Sequence, residues 1–229
     1  MSEIFDAVRA ALPSLDEARQ RKLCVFYEML VDWNARMNLT AITDPAEVAS
    51  KHFADSVLPE SLLKKNARVI DVGTGAGFPG IPLAVARPDL SFTLMDALQK
   101  RVGFLEAACK ELNLNIQCVH ARAEEAGKSL SYRAGFDAAL SRAVAPASVL
   151  TELTVPFLKE GGVSLMYKGP QAESELLSAK NALHLLRAEA ELVKFDAAWG
   201  ERRVIFVTKL APTPENYPRA SGVMKKKPL

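Results

Sequence analysis

The chain has 229 residues, 49% hydrophobic and 24% charged, with a net charge of +2, close to the average soluble globular composition and long enough for one large domain with an appendage. The longest uncharged apolar stretch, Phe78 to Ala86, is too short to span a bilayer. The opening "MSEIFDAVRA" is too charged for a signal peptide, and three cysteines (Cys24, Cys109, Cys118) without C-x-x-C spacing fit neither a disulfide framework nor a zinc site. A cytoplasmic protein with no membrane segment and no metal is expected.

The first 60 or so residues read as helices. "SLDEARQRKLCVFYEMLVDWNARMN" opens with a capping-box pattern, Ser14 with Glu17, and continues with helically spaced apolar residues. "TDPAEVASKHFADSVLPE" offers Asp44 as N-cap, Pro45 at the first helical position and Glu47 at the third. From Arg68 the pattern changes. "RVIDVG", "SFTLMD", "IQCVHA", "FDAALSRA" and "VSLMYKG" are short buried strands. Between them stand helices: "GIPLAVA" stopped before Pro88, "LQKRVGFLEAACKELN", the short acidic "RAEEAG", and "PASVLTELTVPFLKEGG" ending at a Gly-Gly stop. After the helix "ESELLSAKNALHLLR", the strands "AELVKF" and "RRVIFVTKL" follow with no helix between them. That alternation implies right-handed crossovers and a mainly parallel seven-stranded α/β sheet, closed by an antiparallel hairpin at one edge. The division expected is a helical extension over 1–62 packed on a main domain over 63–211, then a basic tail over 212–229. The tail carries Arg219, Lys225, Lys226 and Lys227 with no acid after Glu215, so it reads first as a solvated, mobile end and second as an arm for phosphates.

"DVGTGAGFPGIP" (residues 71–82) parses two ways. Gly75, Gly77 and Gly80 form the G-x-G-x-x-G of a dinucleotide loop; Asp71, Gly73, Gly75 and Gly77 form a D-x-G-x-G-x-G turn over a ligand that brings no phosphate. Either loop leaves the first strand, where ligands bind beyond the carboxyl ends of an α/β sheet. The Asp71 charge would repel a pyrophosphate and favour the cationic amino group and sulfonium of S-adenosylmethionine. Pro79 and Pro82 flank Gly80, where a dinucleotide needs a free helix start. Asp96, at the end of the second strand, suits ribose hydroxyls of either ligand. Glu124 and Glu125 follow the third strand, beside the adenine in such folds. Together these favour the methyl donor. A nicotinamide-dinucleotide oxidoreductase stands as the rival enzyme, and an RNA- or ribosome-binding factor that has lost transfer as the rival from another class.

The segments "WNARMNLTAI", "KHFADS", "VIDVGTGAGFPGIPLA", "DALQKRVGFL", "ARAEE", "SRAVA", "YKG" and the late "TP–YPR–G–KKPL" resemble the bacterial small-subunit ribosomal RNA methyltransferase G family, also called glucose-inhibited division protein B. The resemblance runs from Trp33 to the C-terminus. It implies a class I, Rossmann-like fold, S-adenosyl-L-methionine as cofactor, and methylation of guanine N7 in 16S ribosomal RNA. It also implies Gly73 and Phe78 against the donor, Ala123 and Glu124 along the adenine, Asp96 at the ribose, and Arg142 reaching the site; Asp71 and Gly75 complete the cofactor set. Guanine N7 carries a lone pair and no proton, so no general base, catalytic cysteine or metal is expected, and Arg142 is the one catalytic candidate. His52 and Asp55 share a helix face at i, i+3; the resemblance puts them near the cleft, while a local hydrogen-bonded cap is the commoner outcome. Lys168, Arg202, Arg203, Arg219, Lys225, Lys226 and Lys227 are the expected contacts to RNA phosphates, on naked 16S RNA or on the small subunit, by an enzyme expected to be monomeric.

Overall fold

A computed structural model describes residues 2–229. Helices α1 (Ser2–Ala11) and α2 (Glu17–Met37) precede a continuous helical stretch. This comprises α3 (Pro45–Glu47), π-helical turns over Val48–Ala54, and α4 (Asp55–Val57). Asp44 caps α3 by accepting from the Glu47 N–H at 2.9 Å, with Pro45 in the first turn. At α2 the capping box on Ser14 does not form. Asp16 is the cap instead and accepts from the Arg19 N–H at 2.9 Å, because Leu15 is buried just before it and a carboxylate suits the positive end of the helix dipole.

The main domain alternates β1 (Arg68–Val72), α5 (Gly80–Ala86), β2 (Ser91–Asp96), α6 (Gln99–Glu111), β3 (Gln117–His120), α7 (Ala123–Ala126), β4 (Phe136–Arg142), α8 (Ala147–Thr154) and β5 (Leu158–Lys168). It continues with α9 (Ala172–Ser178), α10 (Lys180–Leu185), β6 (Ala188–Phe195), β7 (Arg202–Lys209) and, in the tail, α11 (Ser221–Lys226). The sheet order is β3-β2-β1-β4-β5-β7-β6. Strands β1 to β5 are parallel, and β7 runs antiparallel between β5 and the edge strand β6. The chain order reverses at β1 and β4, and that reversal opens a crevice above their carboxyl ends.

Three local expectations are corrected. The helix after β4 stops at Thr154 because Pro156 follows, and the pair Gly161–Gly162 lies inside β5. There Phe136 faces Leu158 but Ala138 faces Val163; the glycines, Gly161 at φ +72°, sit where the register shifts. The helix expected over 173–187 is two, α9 and α10, divided at Ala179. The tail is not a loose end: the Arg219 guanidinium and backbone N–H grip the buried Glu152 carboxylate at 2.7–3.1 Å, and Met224 is buried.

The N-terminal helices share one core with the glycine-loop side of the sheet. Phe26 of α2 packs against Phe53, Phe78 and Phe104, with ring centroids 5.8, 5.5 and 6.2 Å away. Burying rings of this size contributes about 1.5–3 kcal/mol each, so the extension holds the loop from behind. Among the described residues no helix is long and apolar enough to cross a membrane.

Candidate functional site

Beyond Val72 the backbone folds back over its own sheet. The N–H groups of Gly73 and Thr74 both donate to the Met95 carbonyl, at 2.9 and 3.1 Å, which draws the loop to the end of β2. Gly73 has φ +72°, and a Cβ there would lie 2.8 Å from the Val144 side chain; only glycine satisfies both demands. Asp96 ties the two strand ends together: Oδ2 accepts from the Gly75 N–H (3.0 Å) and Oδ1 from the Leu98 N–H (2.9 Å).

These turns frame a cavity of about 450 Å³ over the ends of β1, β2 and β3. Of the expected cofactor residues, Gly73, Asp96, Ala123 and Glu124 line it. Glu124 is oriented by Arg122, whose Nε lies 2.7 Å from Oε1. Small apolar groups make up much of the rest, among them Val72, Met95, Ala121, Val144 and Ala145. Such a lining suits the flat apolar faces of an adenosine, with few polar groups to orient it.

The other four expected cofactor residues are off the cavity wall. Asp71 lies beneath the loop, fully buried; its Oδ2 accepts from the Thr74 hydroxyl (2.6 Å) and the Gly80 N–H (2.9 Å), while Oδ1 has no partner. Burial pushes this carboxyl up to about 6 against the pull of those two donors. Asp71 therefore shapes the loop from below. Gly75 serves Asp96 through its N–H. Phe78 is an aromatic of the buried core, its ring 4.6 Å from that of His52. The dinucleotide parse fails here too. The Gly80 N–H is spent on Asp71, the Ile81 N–H is spent on Gly77 O at 2.8 Å, and a Cβ at Gly80 would lie 2.8 Å from Asp71 Oδ2, so these two amides at the start of α5 are not free for a pyrophosphate.

Arg142, the fourth, turns away from this cavity. Its guanidinium stacks over Phe78 (5.0 Å to the centroid) and binds Asp55 Oδ2 at 3.1 Å. Asp55 Oδ1 in turn accepts from Arg202 at 2.7 Å. Asp55 thus bridges two arginines, and His52 stands beside them with Nε2 2.8 Å from the Thr40 hydroxyl. Burial and the Arg142 charge push the His52 imidazole down to about 4. This is not the local hydrogen-bonded cap that the i, i+3 spacing suggests: the two side chains bond to Thr40, Arg142 and Arg202. Arg142, Arg202 and Asp55 line a second cavity of about 360 Å³, over β4, β5 and β7.

The expected phosphate contacts separate into two groups. Lys168 is mostly buried, at 2.7 Å from Glu175 and 2.8 Å from the Ala145 carbonyl. Arg202 is held by Asp55, Arg203 by Glu201 and the Pro170 carbonyl, and Arg219 by Glu152. These four are committed to protein acceptors. Lys225, Lys226 and Lys227 are exposed.

The tail also supplies what sequence reasoning missed. Ser221, Met224, Lys225 and Pro228 line the first cavity, and the Arg122 guanidinium reaches the Ser221 hydroxyl at 3.3 Å. The signal for this was Glu152, a lone carboxylate in the apolar run "SVLTELTV", which must find a cation when buried.

The family model for rRNA small subunit methyltransferase G matches residues 19–205. Ribosomal RNA small subunit methyltransferase G of Desulfitobacterium hafniense (strain Y51) is 46% identical over 212 residues, covering 91% of this chain and 88% of that protein. The fold is similar to a methyltransferase from Pyrococcus furiosus, with TM-score 0.57, 16% identity and coverage of 85% of this chain and 100% of that one. It is also similar to an O-methyltransferase from Bacillus cereus solved in complex with SAH, with TM-score 0.56, 16% identity and coverage of 81% and 91%. These likenesses show a shared fold, and the family match with the relative's identity over most of both chains shows that the chain belongs to the rRNA small subunit methyltransferase G family.

Proposed function

We propose that the protein moves a methyl group from S-adenosylmethionine to N7 of a guanine in 16S ribosomal RNA, in the cytoplasm and as a monomer. The single observation that carries this reading is the first cavity, where a carboxylate at the end of β2, a second after β3 and a glycine backbone at the end of β1 converge on an otherwise apolar space. Asp96 would accept from the ribose hydroxyls, Glu124 and the Ala123 backbone would meet the adenine edge, and Gly73 would let the methionine part pass close to the loop.

When bound, the donor supplies an electrophilic methyl on a sulfonium. The N7 lone pair forms the new N–C bond as the S–C bond breaks; the sulfur leaves neutral and the guanine takes the positive charge. No proton moves, so the chain's task is alignment and exclusion of water, which account for a large share of such barriers. Among the described residues no group of three His, Cys, Asp or Glu side chains is placed to hold a metal.

The test is incubation with methyl-labelled S-adenosylmethionine and deproteinised 16S RNA or small subunits from a deletion strain, followed by mass mapping. A single 7-methylguanosine is expected; methyl on another atom, or none, overturns the proposal. Thermal shift with S-adenosylhomocysteine and with NADH adds a control, and stabilisation by NADH alone would restore the oxidoreductase.

A further inference from the structure

Three arginines hold the C-terminal segment to the main domain. The Arg133 guanidinium donates to the carbonyls of Gly127 (2.9 Å), Thr213 (2.7 Å), Pro214 (3.1 Å) and Tyr217 (2.8 Å). That joins the start of the segment to the end of α7. Arg219 grips Glu152 of α8, which is 1% exposed, and its Nη1 donates to the Lys227 carbonyl at 3.1 Å. Arg122 holds Glu124 with Nε and reaches the Ser221 hydroxyl with Nη2 at 3.3 Å. Helix α11 is thereby pinned at both ends, across the gap between α7 and α8.

A helix of six residues is far too short to be stable alone, and fixing three long side chains around it costs conformational entropy. What that order places is Met224. This side chain is 2% exposed and lines the first cavity, as do Leu153 of α8 and Ala123 and Glu124 of α7. Its neighbour Val223 is 47% exposed and lines no part of it. Helix α11 thus turns one apolar side chain inward, at the end of the cavity formed by the residues after β3. A thioether there is polarizable, makes favourable contacts with aromatic rings, and needs no hydrogen bond of its own.

We propose that Met224 is a donor-binding residue that packs on the adenine of S-adenosylmethionine, and that Glu152 is a positioning residue that sets it there through Arg219. This rests on the methyl-donor reading of the first cavity. Glu124 and the Ala123 backbone meet the adenine edge, whereas Met224 covers a face and adds affinity without reading that edge.

The chain has six methionines, so carbon-13 labelling of their methyl groups gives a direct test by NMR. Met95 lines the same cavity and reports whether the donor site is filled. Adding S-adenosylhomocysteine to the full chain should shift both the Met95 and Met224 signals, the latter assigned by its loss in Met224→Leu. In calorimetry Met224→Ala should bind S-adenosylhomocysteine about tenfold more weakly or worse, the loss of an apolar contact of this size. Met224→Leu, close in volume, and the outward Val223→Ala should bind as the parent does. Glu152→Gln should weaken binding in the parent but no further in Met224→Ala, because both act through one contact. A Met95 signal that shifts while Met224 stays still overturns this proposal alone, as does parental affinity in Met224→Ala. No shift at either methionine and no heat of binding overturns the donor reading with it. Additive losses in the double variant overturn the part given to Glu152.

Discussion

The two cavities share a wall and are built in opposite ways. The donor cavity comes from three consecutive strand-to-helix turns, closed by bonds from backbone amides: Gly73 and Thr74 to Met95, Gly75 and Leu98 to Asp96. The second cavity is held by side chains from distant parts of the chain. Arg142 meets Asp55 across 87 positions, and Arg202 meets it across 147. The first cavity is thus framed by the backbone of the fold, where few substitutions change the contacts. The second depends on charged side chains, each with a partner elsewhere. Disturbing one cavity should therefore leave the other intact, and the following predictions test that separation.

The largest effect is expected at Asp55. Asp55→Ala leaves Arg142 and Arg202 without their carboxylate in a mostly buried place, at a cost of about 3 kcal/mol, read by urea unfolding. The folded fraction should still bind S-adenosylhomocysteine normally, and a parallel loss of donor affinity would break the separation.

Each cavity also has its own titrating group, and the two act with opposite sign. His52, beside Arg142, is held down to about 4. Between that value and about 6.5 the unfolded chain binds the proton and the folded one does not, so acidification through this window should remove about 2–3 kcal/mol of stability. Asp71, under the donor loop, is pushed up to about 6. Its contribution is fully present below about 3.8 and is lost as pH rises through 6. Urea unfolding from pH 4 to 7 should show His52→Gln abolishing the acid loss and Asp71→Asn abolishing the loss on the alkaline side. The same pH profile in both variants would refute the two shifts.

Asp96→Ala should weaken S-adenosylhomocysteine binding by about 1.5–3 kcal/mol, the value of a charge-assisted hydrogen bond, measured by calorimetry, and leave RNA affinity unchanged. The smallest effect belongs to the tail. Lys225 borders the donor cavity, whereas Lys226 and Lys227 are exposed and do not line it. Replacing Lys226 and Lys227 by Ala should flatten the slope of log K for RNA against log salt by roughly 0.7–0.9 for each phosphate no longer neutralised. Donor affinity should stay the same, and an unchanged slope would remove the tail from RNA binding.

Local chemistry is legible in the order of the residues. Strand-like segments six to nine residues long alternating with helical periods specify the seven strands and their parallel majority, because side-chain burial repeats with a short period in each element. Asp44 with Pro45 marks a helix start correctly for the same reason: the cap acts within four residues. The donor cavity is half legible. Gly73, Asp96, Ala123 and Glu124 end or follow strands, so strand order alone puts them on the cavity wall.

Asp71, Phe78 and Arg142 share that sequence context and still lie elsewhere, because what a side chain faces is decided by its tertiary neighbours. Asp71 finds the Thr74 hydroxyl and the Gly80 amide below the loop; Phe78 finds Phe26 and Phe53 of the N-terminal helices; Arg142 finds Asp55. Lys168 and Arg219, read as free cations, each meet a carboxylate that no spacing rule connects to them. A charge in water needs no partner, while a charge taken out of water must have one. The sequence by itself determined the succession of strands and helices along the chain and the glycine-rich turn after the first strand, which follow from local propensity and burial period. Only the tertiary structure decided which charges pair and which remain free, since desolvation exists only once the chain has closed around them.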